Sequence, residues 1–517
     1  MRRPAVALFL SLAALGACNE WPGSPEGPQP ILEVDPGEVT QAALRAAVSD
    51  PRTRRFYEAR QWALAWTDEQ AGALTAAFAD AGRHALDQRL FWEDVPAAAT
   101  PAQREAALTL AAIKYADALA DGVVDPRSVW DVYTVPTNRV DVLAGLQHAL
   151  AENTVQEWFS ALAPADAEYR ALSEAYLAMR QRAAGERPLA IAQGEAIAQG
   201  DRDPRVPAIA ESLRRNGFLS PAPKPEGQQP KAAADPDLYT AELAQAVARL
   251  QEDQGIEPDS IIGADTIAAL NMGAAERAAM LAVNLERRRW LERQPGRTRI
   301  DVNTAGAFLD YWRDGGHVQR TRVVVGQPGW ETPQLGSLLE RLVANPPWTV
   351  PESIAEAEIL PKGAGYMARN NMSFRNGRIV QAPGPESALG LVKFDLDNPH
   401  AIYLHDTPAK ALFASSERHA SHGCARVHNA LAFARLIADH QAKREAFERA
   451  LASGDERAVE LTTPIPVRFL YHTVHLDGGR LVFRHDDYGW DQRVARALRL
   501  EVRRDGSARR YATDVGP

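Results

Sequence analysis

Ala401-Ile402-Tyr403-Leu404-His405-Asp406 and, beyond a fifteen-residue gap after His405, Ser421-His422-Gly423-Cys424-Ala425-Arg426 decide how this chain is read. The first stretch predicts a strand. Alternate residues share a face, so Tyr403 and His405 point one way while Ile402 and Leu404 bury on the other. After Cys424, residues 430–440 predict a helix, with Asn429 as its cap and Leu431, Phe433, Ala434, Leu436 and Ile437 on its inner side. The thiol is therefore expected at a strand–loop–helix junction, where backbone amides are available as donors.

Cysteine chemistry needs a thiolate, and an unperturbed thiol with a pKa near ~8.5 is mostly protonated at neutrality. An imidazole can take that proton and later hand it to a leaving amine, and His405 is the candidate. The oxyanion that develops on an attacked carbonyl needs fixed donors. Backbone amides near Gly423 and Cys424 and the Tyr403 hydroxyl are the candidates, with Gly423 permitting close approach. His422 is too near the nucleophile in sequence to serve as its base. Ser421 either turns the loop or acts in the site; Arg426 either pairs with Asp406 or meets substrate. His419, His422, Cys424 and His428 are crowded, but zinc needs three or four converging ligands. Without a second cysteine there, no metal and no cofactor are expected.

Working outward, residues 41–188 are Ala-rich with helical periodicity and predict an all-helical scaffold. Residues 205–275 carry Ala241 to Gln251, then Gly255, Asp259, Gly263, Thr266 and Leu270-Asn271, a helix–turn–helix pattern in which Thr240 caps and Gly255 terminates the first helix. Residues 276–296 predict a charged amphipathic linking helix. From 297 to 490, runs such as Arg322-Val323-Val324-Val325, Leu342-Val343-Ala344-Asn345 and Val467 to Tyr471 predict a mainly β domain, with Asp477-Gly478-Gly479 as a hairpin turn. Residues 491–517 hold seven arginines and predict a loose basic tail. The fold class is multidomain α+β.

His405, the fifteen-residue gap and Ser421-His422-Gly423-Cys424 with Arg426 resemble the signature of the L,D-transpeptidase catalytic domain of YkuD type. Asn345-Pro346-Pro347-Trp348, Asn370-Asn371-Met372, Pro383-Gly384-Pro385 and Tyr403-Leu404-His405-Asp406-Thr407-Pro408 look like the large, scaffolded YcbB-like branch. Residues 205–275 resemble a three-helix peptidoglycan-binding module. The resemblance implies an enzyme that cross-links peptidoglycan stem peptides in the periplasm through a cysteine thioester and is a target of carbapenems. It implies Cys424 as nucleophile and His405 as base, oriented by the backbone carbonyl of Asp406. Tyr403, His422 and Gly423 would shape the oxyanion and substrate pocket, and Arg426 would hold the loop or a substrate carboxylate. Residues 353–386 would form a short lid. Water or a protein amine as acyl acceptor, and a non-catalytic wall-binding lipoprotein, are the alternatives.

The N-terminus predicts the address. Met1-Arg2-Arg3 and the apolar run Ala5 to Leu15 read as an export signal over 1–17, and Leu15-Gly16-Ala17-Cys18 resembles a lipobox. Cys18 is then the expected lipidated residue, 18–40 a Pro/Gly-rich tether, and the membrane a partner through that anchor. Asn19 favours the outer membrane. With 67 Asp and Glu against 58 Lys and Arg, the net charge of −9 argues against a nucleic-acid partner. Peptidoglycan peptide and glycan are the expected partners.

Overall fold

The computed structural model describes residues 39–92, 99–187, 189–220, 235–500 and 516. The expected signal segment, Cys18, nearly all of the tether and residues 501–515 of the expected tail lie outside the described residues.

The N-terminal helices are α1 (Gln41–Ala47), α2 (Pro51–Ala59), α3 (Asp68–Ala79), α4 (Pro101–Asp121), α5 (Val142–Ala151) and α6 (Val155–Leu162). Thr40, Asp50 and Thr67 cap the first three by accepting an amide of the opening turn, and Thr67 and Gln70 close a reciprocal capping box. One compact unit comprises the chain up to Tyr115 together with Leu143–Ser160. Its core pairs polar groups that it buries: Tyr57 bonds Glu105 at 2.9 Å and Thr109 at 2.6 Å, and Gln70 donates to the Leu150 carbonyl at 2.7 Å.

The second unit holds Ala116–Val142 and Ala161–Pro517. It contributes α7 (Ala167–Ala183), α8 (Val206–Arg215), α9 (Ala241–Gln254), α10 (Ala264–Asn271) and α11 (Ala274–Trp290). Helices α8 to α10 share their own apolar core around Ile209, Leu213, Val247, Leu250 and Ile267. Thr240 caps α9 and Gly255 ends it at φ 67°, as the sequence reading expects. Helix α7 packs on α11 within the second unit, where Arg288 reaches Asp166 and Glu168 at 2.8 Å. The charged helix α11 buries Glu286, Arg287 and Arg289. Its charges are tolerated because each is paired, Glu286 with Arg289 at 2.6 Å and Arg287 with Asp491.

The β-rich part runs β1 (Arg299–Asn303), β2 (Phe308–Arg313), β3 (Gly316–Gly326), β4 (Gly336–Ala344), β5 (Trp348–Thr349), α12 (Glu352–Ile354), α13 (Gly363–Arg369), β6 (Met372–Arg375), β7 (Arg378–Gln381), β8 (Val392–Leu396), β9 (Leu404–His405), β10 (His419–Ser421), β11 (Ala425–Val427), α14 (Ala430–His440), α15 (Arg444–Ala452), β12 (Arg457–Leu470), β13 (Val474–Asp477), β14 (Arg480–Phe483) and α16 (Trp490–Ala497). Nine strands form one mixed sheet, ordered β10-β3-β11-β9-β8-β4-β12-β1-β2, and an extra β2–β3 pairing rolls it closed. Ile300, Val323, Leu342, Phe394 and Val467 fill its interior with Phe433 and Ile437 of α14. Asn429 precedes α14 in a left-handed conformation and makes no side-chain cap bond, unlike the expected cap.

Residues 491–497, read from sequence as the start of a loose tail, belong to α16 instead. Trp490, Val494 and Ala495 are buried with Trp130, Tyr471 and Trp290, and Asp491 anchors Arg287. The arginine count hid an apolar face recurring every three to four residues.

Candidate active site

Strands β9 and β11 lie side by side and parallel, with Leu404 opposite Ala425 and His405 opposite Arg426. In a parallel pair, residues in register share a face. Tyr403 and Cys424, one step before each strand, therefore sit beside one another on the face that carries His405 and Arg426. The Ala425 amide donates to the Tyr403 carbonyl at 3.1 Å, which extends the ladder to this pair. The Tyr403 and His405 rings meet edge-on at 5.6 Å, and Lys393 of β8 lies 5.3 Å from the Tyr403 ring centroid.

His405 is fully buried, and its Nδ1 donates to the Asp406 carbonyl at 2.5 Å. A carbonyl only accepts, so the Nδ1 proton is fixed and a neutral ring carries its lone pair on Nε2. That Nε2 is buried without a hydrogen-bond partner. Burial, then the Arg426 guanidinium, depress the His405 pKa to about 3. Cys424 is 5 % exposed; its thiol faces the Ala401 carbonyl at 3.6 Å. Burial pushes the thiol up to about 11, while the Tyr403 backbone N–H and hydroxyl, both aimed at the sulfur, pull the other way. The thiol and the imidazole, on one face of the sheet, are thus both held in their neutral forms.

The remaining expected residues separate into two groups. Ser421 shapes the loop: its hydroxyl donates to the Cys424 carbonyl at 2.6 Å and accepts the Gly423 amide at 3.2 Å. That bond occupies the Gly423 amide, one of the two backbone amides expected to serve an oxyanion. Gly423 instead supplies a φ of +114° and a carbonyl held by Thr332 at 2.8 Å. The Tyr403 hydroxyl is directed at the Cys424 sulfur. The Asp406 carboxylate does not take Arg426; it accepts the Leu391 amide at 3.0 Å and pairs with Lys410. Arg426 is 1 % exposed, beside His405 on the sheet face. His422 is no base: Nε2 meets Glu358 at 2.6 Å and Nδ1 the Gly516 carbonyl at 2.6 Å. The four crowded residues considered as a zinc set do not converge, since His422 is clamped this way, His419 turns to Glu417 and Thr304, and His428 packs tilted against Phe413.

Glu358 and Trp330 went unread in the sequence, and Gly390 was read only within Ala388-Leu389-Gly390, a stretch that resembles the scaffolded branch. Glu358 belongs to the lid region, where residues 355–359 form a π-helical turn. The lid has its own small core of Trp348, Ile354, Ile359, Met372 and Ile379 under the sheet β5-β7-β6. Trp330, 37 % exposed, meets the His422 ring edge-on at 4.9 Å. Gly390 has a φ of +58°, and a side chain there would overlap the Asp406 carboxylate. None of these carries a local signal, because each acts through a partner far along the chain.

Residues 297–457 match the family model of the L,D-transpeptidase catalytic domain, YkuD, and residues 51–175 match that of the Scaffold domain. The chain is 31 % identical over 220 residues to a Haemophilus influenzae protein named "Putative L,D-transpeptidase". That match covers 38 % of this chain and 45 % of the relative, so the chain spans under half the length of that curated relative. Among solved structures, an L,D-transpeptidase from Stackebrandtia nassauensis overlaps 57 % of this chain and 100 % of its own, at 11 % identity and a TM-score of 0.22. An L,D-transpeptidase from Xylanimonas cellulosilytica overlaps 54 % and 98 %, at 14 % identity and a TM-score of 0.17. The chain therefore carries a helical scaffold domain followed by a β-rich L,D-transpeptidase catalytic domain.

Proposed function

We propose that this chain is a periplasmic L,D-transpeptidase, tethered to the outer membrane by lipid on Cys18, that cross-links peptidoglycan stems between third-position diaminopimelate residues. The observation that carries the reading is His405 Nε2: buried, without a partner, with its lone pair fixed by the Asp406 carbonyl, on the sheet face that also presents Cys424.

In the proposed reaction a donor stem enters beneath the lid, and the Cys424 sulfur attacks the carbonyl on the L-centre of the third residue. The thiol proton passes to His405 Nε2. The Tyr403 hydroxyl turns from the sulfur toward the developing oxyanion. Collapse breaks the bond to D-alanine, whose amine takes the proton from His405 and leaves, and a thioester remains on Cys424. The side-chain amine of a neighbouring stem then attacks the thioester. His405 takes the amine proton and returns it to the departing sulfur, so the amide forms and the thiol is restored.

A neutral resting pair suits this sequence. The thiolate forms only when substrate is present to use it, which protects the sulfur from oxidation outside the cytoplasm. The α8–α10 module is proposed to hold glycan or peptide and raise the local substrate concentration.

Intact mass spectrometry with a carbapenem tests the reading. A stable adduct is expected on the wild type and none on Cys424→Ala; equal adducts on both would sink it.

A further inference from the structure

His419 opens β10, five residues before the nucleophile, and no step of the proposed reaction uses it. It is 3 % exposed. Its Nε2 donates to the Thr304 carbonyl at 3.0 Å, which turns Nδ1 toward Glu417 Oε1 at 2.5 Å and Asp487 Oδ2 at 3.6 Å. The three ligand atoms lie within 4.8 Å of one another. The same three side chains line a cavity of about 20 Å³, which Gly255 of the α9 terminus and Arg484 also border. A space of that size admits one water-sized occupant.

We propose that Glu417, His419 and Asp487 form a binding site for a zinc-class divalent cation, distinct from the Cys424 centre. A backbone carbonyl on the distal ring nitrogen is the arrangement that fixes a metal-binding histidine's tautomer and orientation. Zinc bonds of about 2.0–2.2 Å to nitrogen and carboxylate oxygen put neighbouring tetrahedral ligands about 3.4 Å apart. The Asp487–His419 separation of 3.6 Å already meets this spacing. Glu417 must withdraw by about 1 Å from its hydrogen bond to His419. It is the one of the three with a partly exposed side chain, at 23 %, so it has room to turn. Water in the cavity completes four-coordination. An imidazole ligand selects against Mg²⁺ and Ca²⁺. The Arg484 guanidinium, which also lines the cavity, donates to the Glu252 carbonyl at 3.3 Å, and its charge tempers affinity.

The bound ion would rivet β10 to the 485–491 turn and hold the strand that leads directly into Ser421-His422-Gly423-Cys424. The bland rival is an imidazolium held by two carboxylates, and the test separates the two.

Tag-free, chelator-stripped full chain is titrated with ZnCl₂ and with MgCl₂ by calorimetry, in wild type, Cys424→Ala, Glu417→Gln and Asp487→Asn. One zinc per chain is expected in wild type and Cys424→Ala, no magnesium heat, and about 10- to 100-fold weaker zinc binding in the two carboxamide variants. Absence of saturable zinc binding overturns the proposal in favour of the imidazolium. So does binding that disappears in Cys424→Ala and persists in Glu417→Gln. Should the carboxamide variants not fold, zinc-edge anomalous diffraction from the wild type decides: a peak among Glu417, His419 and Asp487 supports the site, and a map without one overturns it.

Discussion

His405 Nδ1 donates to the carbonyl oxygen of Asp406 at 2.5 Å, a bond between adjacent residues that leaves the lone pair of a neutral ring on Nε2. The Asp406 carboxylate is in turn held by Lys410 and by the Leu391 amide, directly after Gly390. The ring proposed as base is therefore oriented through the Asp406 backbone and the groups that hold its side chain.

Gly390→Ala should displace the Asp406 side chain, because its new methyl group would overlap the carboxylate at a φ of +58°. Acylation by a carbapenem should slow by about 10- to 100-fold. Stability should fall by about 1–3 kcal/mol. Stopped-flow acylation and thermal unfolding check both. Wild-type acylation in a folded variant would show that the carbonyl is not needed to hold the ring.

Tyr403→Phe removes the hydroxyl aimed at the sulfur while keeping the ring edge packed on His405. Turnover should fall by about 100- to 1000-fold. The thiol should also titrate higher than in the wild type, since a donor that favours its anion is gone. Turnover within a factor of about three would assign the oxyanion to other donors.

The buried neutral pair predicts opposite limbs in stability against pH. His405 has a folded pKa depressed to about 3, so its contribution is complete above the unfolded value near ~6.5 and is lost as pH falls toward 3. Cys424 is raised to about 11, so its contribution is complete below the unfolded value near ~8.5 and is lost as pH climbs toward 11. Each limb is on the order of 1–3 kcal/mol once the site relaxes. Urea unfolding across pH should show His405→Gln flattening only the acid limb and Cys424→Ala only the alkaline one; parallel curves would contradict the assignment.

Glu358→Gln tests the latch between lid and catalytic loop. The 2.6 Å contact with His422 loses its charge, and the lid should open more often. Alkylation of Cys424 by iodoacetamide should quicken by about 3- to 10-fold, with unchanged thermal stability. An unaltered alkylation rate would mean that the apolar lid core alone keeps the site closed.

Asp491→Asn leaves Arg287 charged at 1 % exposure with half its partner gone. Loss of about 3–5 kcal/mol is expected in chemical unfolding, because the stranded guanidinium is no longer compensated. A double Arg287→Met, Asp491→Leu replacement should recover much of it.

Much of this protein was legible from short-range pattern. The alternation in 401–406 placed Tyr403 and His405 on one face, and Gly255 and Asp477-Gly478-Gly479 marked turns that the backbone makes, with φ of 67° at Gly255 and positive values at both later glycines. Both rules depend on neighbours within a few residues. The burial of α11's charges was not legible, because the charges on one turn say nothing of the partners that neutralise them. Asp491 lies 204 residues from Arg287 and Asp166 lies 122 from Arg288. The same distance hid α16, whose tryptophan packs with Trp130 and Tyr471.

The sequence by itself determined the chemistry on offer: one thiol in a polar turn, one imidazole on a strand, a tyrosine two residues before it. Only the tertiary structure decided how that chemistry is held. Parallel pairing of β9 with β11 put Cys424 beside Tyr403 and Arg426 beside His405. Burial then drove thiol and imidazole to their neutral forms, Ser421 took the Gly423 amide, and Glu358 closed on His422. These are effects of register, desolvation and contact between segments distant in the chain, and no local spacing encodes them.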